Sequence, residues 1–125
     1  MKVISTRKAP AAIGSYSQAI QVGNFVFTSG QIPIDPATGT FTECDIKEQT
    51  RQSQTNVKAI LEETGLSMSN VVKTTVFMAD MGDFANMNTV YAEFFTEPYP
   101  ARSAVAVNTL PKGALVEIEV IAAIE

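Results

Sequence analysis

The chain contains no histidine, no tryptophan and a single cysteine, and each gap removes a class of chemistry. Without imidazole there is no Ser-His or Cys-His nucleophile, and with one thiol no zinc site of the usual donor set, so no metal is expected. The lone Cys44 has no intramolecular disulfide partner and no secretory apolar segment follows Met1, which points to the reducing cytoplasm. The most apolar run, Ala114 to Ile124, is interrupted by Glu117 and Glu119 and falls far short of the ~20 residues that span a bilayer. Basic residues are also sparse: nine Lys and Arg against 13 Asp and Glu give a net charge of −4 and a pI near 4.8. Phosphate binding relies on clustered cations, so no nucleic-acid partner is expected. Gly14, Gly23 and Gly30 are too scattered for a phosphate-cradling loop.

What remains for chemistry is arginine, carboxylates, hydroxyls and backbone groups. With 125 residues and 46% hydrophobic content, residues 1–125 suit a single domain with a real core. Lys2 to Ser5 reads as a strand, and Ser17 to Val22 with Phe25 to Ser29 as a hairpin turning at Gly23-Asn24. Pro33, Asp35, Pro36 and Gly39 mark a loop. Asp45 followed by Glu48 resembles a capping box, opening a helix whose Ser53, Val57, Ile60, Leu61 and Thr64 repeat at helical spacing until Gly65. Val71 to Met78 alternates as a strand. Asp83 is placed to cap a second helix with the stripe Phe84, Met87, Val90, Tyr91, Phe94 and Phe95, ended by Pro98 and Pro100. The order of elements predicts an α+β fold, a mixed sheet with both helices on one face.

The C-terminal region poses the physical problem. Ser103 to Asn108 and Leu115 to Ile124 read as strands. In the second, the period of two puts Leu115, Glu117, Glu119, Ile121 and Ala123 on one face and Val116, Ile118, Val120, Ala122 and Ile124 on the other. Both faces are largely apolar, and two helices cover only one. The other face is expected to lie against a second copy of the chain, so a homo-oligomer is predicted. Carboxylates among such neighbours are costly to desolvate unless paired, so Glu117 and Glu119 need a reason to be there.

The segments APAAIGSYSQAI, FVFTSGQIPIDPATG, QTNVKAILEETGL, VVKTTVFMADMGDFANMN, YAEFF and PARSAVAVNTLPKGALVEIEVIA resemble the RidA (YjgF/YER057c/UK114) family of reactive-intermediate deaminases over nearly the whole chain. The PARS segment, the Leu-Pro-Lys turn and the paired glutamates are its specific signature. The resemblance implies a chorismate-mutase-like fold and a homotrimer with sites between subunits. It also implies hydrolysis of 2-imino acids, such as 2-iminopropanoate and 2-iminobutanoate, to 2-keto acids and ammonia. No cofactor is implied for this chain: pyridoxal-phosphate dehydratases upstream generate the enamine that tautomerises to the imine.

The residues fit that chemistry. A 2-imino acid carries a carboxylate beside an electrophilic carbon, and the planar guanidinium of Arg102 can grip the carboxylate through two parallel hydrogen bonds. Glu117 is the candidate to hold the attacking water and manage protons. Burial would raise its pKa and Arg102 would lower it, so the sequence leaves the sign open. The family comparison adds Tyr16 and Ser29 to the cleft. Gly30, lacking Cβ, can bring its N–H close to a bound carboxylate, and Asn88 is the remaining polar candidate, as a cleft wall or a substrate contact. Many relatives carry cysteine where this chain has Ala104: if the position contributes only backbone groups to the ligand, alanine is tolerated, and if the thiol matters, this chain lacks that function.

Plainer readings stand beside these. Arg102 with Glu117 or Glu119 could be an intersubunit ion pair, Tyr16 a core or interface aromatic, and Cys44 an incidental thiol; Glu119 reads as structural. Two other functions remain open: a non-catalytic trimer that binds 2-keto acids or regulates a partner, and, ranked last for want of histidine and basic surface, a ribonuclease or translation inhibitor.

Overall fold

A computed structural model describes residues 1–125. The strands are β1 (Lys2–Ile4), β2 (Ala19–Val22), β3 (Phe25–Thr28), β4 (Ile34–Asp35), β5 (Thr40–Phe41), β6 (Val71–Met78), β7 (Ala101–Ala106) and β8 (Val116–Ala123). The helices are α1 (Ile46–Glu63) and α2 (Phe84–Ala92). Six strands form one mixed sheet in the order β1-β2-β3-β8-β6-β7, in which only β6 and β7 run parallel. A parallel pair needs a crossover, and α2 provides it. The expected α+β fold is what forms. The loop expected at Pro33 to Gly39 instead holds a small hairpin, β4 against β5. Its turn closes because the Asp35 carboxylate accepts the Ala37 N–H at 2.9 Å and Gly39 takes φ 74.

Both helices cover the same face of the sheet. Val116, Ile118, Val120 and Ala122 of β8 are buried beneath them, together with Val57, Ile60 and Leu61 of α1 and Met87 and Tyr91 of α2. The opposite row, Glu117, Glu119, Ile121 and Ala123, is half-buried on the open face. Phe25, Phe27 and Val105 stay 44–47% exposed on that face, an apolar surface no element of the chain covers. In β6 the register skips one residue between Val71 and Lys73 against β8. The bulge sets the parity so that Val71, Thr74, Val76 and Met78 all turn inward.

Three local expectations are corrected. At α1, Asp45 caps alone: its carboxylate accepts the Lys47 N–H at 3.0 Å, while Glu48 turns to Arg51 at 3.8 Å, so there is no capping box. At α2, Asp83 makes no side-chain cap, because its backbone (φ −88, ψ 2) is already near-helical. The extended Asp80 caps instead, accepting the Gly82 N–H at 2.8 Å at the start of a helical turn that runs into α2. The helix also ends at Ala92, so Phe94 and Phe95 follow it in a tighter turn, with Phe95 still buried. The expected stop of α1 holds: Leu66 N–H donates to Leu61 O and Gly65 N–H to Glu62 O, with Gly65 at φ 81, a Schellman end.

The buried face of α1 is more polar than its stripe suggested, for it includes Gln49, Thr50, Ser53, Gln54 and Asn56. Two of these hold distant backbone. Gln49 Oε1 accepts the Leu115 N–H at 2.8 Å, and Asn56 Nδ2 donates to Ile34 O at 2.9 Å and Ile32 O at 3.3 Å. Gln54 is fully buried, yet neither atom of its amide finds a partner among the protein's groups. Gln54→Leu, similar in volume, is therefore expected to raise unfolding stability by about 1–2 kcal/mol, read as a higher urea midpoint at unchanged slope. A lower midpoint would mean the amide is satisfied.

Candidate functional site

Arg102 lies inside β7, the edge strand, one position in from its start. Its register partner is Thr74, whose hydroxyl meets Tyr91 Oη at 2.8 Å under α2, so the Arg102 side chain lies on the helix side of the sheet. The guanidinium carbon stands 4.8 Å from the Tyr91 ring centroid and 5.2 Å from that of Phe84. One terminal nitrogen, Nη1, donates to Asn88 Oδ1 at 2.6 Å. Two aromatic faces and an amide thus orient a planar cation while leaving its other donors free. Burial pushes the Tyr91 hydroxyl above its ordinary pKa, against the opposing pull of Thr74 and Arg102, so the ring under the cation stays neutral. Asn88, Tyr91, Ala92, Tyr99, Pro100 and Arg102 line the hollow.

The outer edge of β7 has no neighbouring strand. Val107 N–H donates inward to Met78 O at 2.9 Å. Alternation along an extended strand then turns the N–H and C=O of Arg102 and Ala104 to the open edge. The Ala104 methyl packs against the core, so this position offers a ligand only its backbone. A guanidinium fork beside a free N–H is a geometry suited to a carboxylate.

Glu117 belongs to a second cleft, of about 540 Å³, with Tyr16, Ser29, Gly30, Gln31, Pro10, Ile13, Ile32, Ile34, Pro111 and Lys112 in its lining. Gln31 and Ile118 exchange backbone hydrogen bonds at 2.8 and 3.1 Å, which lays residues 29–31 along β8. The Glu117 carboxyl passes directly over Gly30. A Cβ there would stand 2.8 Å from Glu117 Cδ, so only glycine leaves the carboxylate its place. Burial raises the Glu117 pKa above the ordinary carboxylate range, and the neighbouring Glu119 raises it further. Ser29 is more committed than expected: its hydroxyl donates to Ser17 O at 2.6 Å, leaving it an acceptor toward the cleft. Tyr16 stands half exposed at the mouth.

Within one chain Arg102 and Glu117 do not meet. They sit on opposite faces of the sheet with β6 between their strands, and the only ion pairs in the chain are those of Arg51. The candidates therefore fall into two half-sites, Arg102 with Asn88 and Ala104, and Glu117 with Tyr16, Ser29 and Gly30. No group of three or more Cys, Asp or Glu side chains is gathered as a metal site, and no helix is long and apolar enough to cross a membrane.

Sequence reasoning missed the supports. Gln18 is buried in the hairpin; its amide accepts the Thr6 N–H at 2.7 Å and donates to Thr6 O at 3.0 Å and Pro10 O at 2.7 Å. It pins residues 6–10 as one wall, while Asn56 holds Ile32 and Ile34 as the other. A glutamine directly before the apolar start of β2, and an asparagine on an inward helix face, were the available signals.

A family profile described as Endoribonuclease L-PSP matches residues 6–124. A RutC family protein of Pyrococcus abyssi is 60% identical over 121 residues, covering 97% of this chain and 95% of the relative. A Salmonella typhimurium protein named 2-iminobutanoate/2-iminopropanoate deaminase is 54% identical over 124 residues, covering 97% of this chain and 96% of its own length. The crystal structure of Escherichia coli TdcF with bound serine superposes with a TM-score of 0.96 at 48% identity, all of both chains covered.

Proposed function

The chain belongs to the endoribonuclease L-PSP family, the RidA family of the sequence reading, and on that footing we propose that it is a 2-imino acid hydrolase whose site forms between two copies. Its reaction is R–C(=NH)–COO⁻ + H2O → R–CO–COO⁻ + NH3, with 2-iminopropanoate and 2-iminobutanoate as substrates. The observation that carries the reading is the Arg102 half-site: an aromatic-clamped guanidinium beside the outward N–H of Ala104 on a free strand edge. The substrate class rests on the deaminase relatives at 52–54% identity. TdcF, which holds serine, adds a fold-mate with a small α-carboxylate ligand.

Docking the open sheet face of one copy against the β7 edge of the next would cover Phe25, Phe27 and Val105 and bring Arg102 to the neighbour's Glu117. We assign the assembly as a homotrimer. In it Arg102 and Ala104 N–H hold the carboxylate, so the C=N carbon is fixed for attack. Glu117 takes a proton from water as the oxygen adds and passes it to nitrogen. Glu117 then takes the hydroxyl proton of this tetrahedral intermediate and gives it to the amine, so the C–N bond breaks as the keto C=O forms, ammonia leaves and Glu117 is again ionised. Enzymes that eliminate from amino acids, the pyridoxal-phosphate dehydratases, would supply the imine in the cytoplasm.

The test is keto-acid release from imines generated by threonine dehydratase or an amino-acid oxidase, beside a solution mass near three times 13.4 kDa. Acceleration over buffer is expected. Saturable 2-oxobutyrate binding without turnover would favour the regulatory reading instead. A ribonuclease role fits less well, since the chain offers no histidine and a net charge of −4. Gly30→Ala is expected to displace the Glu117 carboxylate and lower kcat about 100-fold, with a near-normal unfolding midpoint because the flexible end of Glu117 yields. Full activity in that variant would show that the placement of the carboxylate over Gly30 is immaterial.

A further inference from the structure

The Leu-Pro-Lys turn has no part in the chemistry above, yet it holds the one non-glycine residue of the chain with a left-handed backbone. Lys112 has φ 57 and ψ 23. Lysine has no local reason to adopt that conformation, and strain of this kind persists where the surroundings impose it. Here they do. Gly113 N–H bonds Leu110 O at 3.3 Å and Ala114 N–H bonds Pro111 O at 3.1 Å, and Gln49 anchors the following residue through the Leu115 N–H.

The turn sets Lys112 on the wall shared by two adjoining hollows. One is the Glu117 cleft; the other is lined by Thr6, Arg7, Pro10, Ile34 and Gly39 and contains no acidic residue. Neither Lys112 nor Arg7 has an ion-pair partner, in a chain whose acids outnumber its bases. Lys112 and Glu117 line the same cleft without forming an ion pair. The cleft that holds both is also lined by the apolar side chains of Ile13, Ile32, Ile34 and Pro111.

An unpaired cation on the wall of a cleft that also offers apolar side chains and the Glu117 carboxyl suits a ligand with a short methylene chain and a second anionic group. We propose that Lys112 is a specificity residue that accepts the side-chain carboxylate of four- and five-carbon 2-imino dicarboxylates, the imines of acidic amino acids, with Arg7 extending the cationic bay. The proposal rests on the imine-hydrolase reading and deepens it.

The test compares the wild type with Lys112→Met, and with Lys112→Gly, which relaxes the backbone strain and also removes the charge. The imines are 2-iminoglutarate and 2-iminobutanoate, made in situ by amino-acid oxidases. The ratio of kcat/KM for the dicarboxylate over the monocarboxylate is expected to fall about five- to tenfold in both variants and to be kept in Lys112→Arg. A ratio equal to the wild type in Lys112→Met overturns the proposal. Calorimetric titration with 2-oxoglutarate and 2-oxobutyrate decides it independently of turnover. If the wild type hydrolyses neither imine, the hydrolase reading falls, while a selective loss of 2-oxoglutarate affinity in Lys112→Met would still uphold the role of Lys112. Equal affinities in wild type and variant would end it.

Discussion

Arg102→Ala is expected to lower kcat/KM for 2-iminobutanoate by two to three orders of magnitude, ~3–4 kcal/mol of transition-state binding. The size follows from what the side chain does. Its plane is held by Tyr91 and Phe84 and its Nη1 by Asn88, so the remaining donors are oriented before substrate arrives. In the proposed site, removing it would leave the substrate carboxylate with the Ala104 N–H alone. Arg102→Lys restores the charge but neither the fork nor the aromatic stacking, and is expected to recover only a minor part of the loss. Because Arg102 is exposed in the single chain, neither change should move the unfolding midpoint of the chain itself much. Kinetics within twofold of wild type for Arg102→Ala would remove Arg102 from the site, and the two-copy cleft with it.

Glu117→Gln is expected to abolish most turnover, a fall in kcat of about 10²–10⁴, while 2-oxobutyrate still binds. The amide keeps the volume over Gly30 but cannot take a proton. The same group predicts two opposite pH trends. As a base, Glu117 must be ionised, so kcat/KM falls as pH drops through its pKa, and this acid limb should lie above the ordinary carboxylate value of 4.5. Arg102 of a neighbouring copy would hold the limb down, so any residual activity of Arg102→Ala should show it moved to higher pH. For stability the sign reverses. A carboxyl whose folded pKa is raised above its unfolded value contributes stability that is present below the unfolded pKa and lost as pH rises through the folded one. For the unassembled chain, where no Arg102 reaches the carboxyl, Glu117→Gln should therefore unfold at a higher temperature than wild type at pH 7, and the gap should close at pH values below the unfolded carboxylate pKa. An active Glu117→Gln, or one less stable at neutral pH, would contradict the assignment.

The gain in stability with loss of turnover has a structural origin. Glu117 occupies the open-face row of β8, where burial and Glu119 both oppose its charge and no partner in the chain compensates. That row was legible early, because an eight-residue strand with strict alternation reveals which residues share a face. Residue types were less decisive: Gly30 was expected to bring its N–H to a bound carboxylate, and what the structure sets against it is the carboxyl of Glu117. The cap of α2 was less legible. Asp80 and Asp83 are both acceptable caps by type, and only backbone conformation separates them. Phe94 and Phe95 continued the apolar spacing past the point where the helix had closed into a tighter turn.

Local periodicity and side-chain chemistry by themselves determined the α+β class, the two faces of β8 and the demand for a reason behind Glu117 and Glu119, because these depend on neighbours one to four residues apart. Only the tertiary structure decided that Arg102 and Glu117 lie on opposite faces. It also decided that the β7 edge is free and that Gln18 and Asn56 build the cleft walls. Those outcomes depend on strand order and on the bulge at Val72, which set contacts between segments dozens of residues apart. Such pairings follow from packing the whole chain at once, and no short stretch of sequence encodes them.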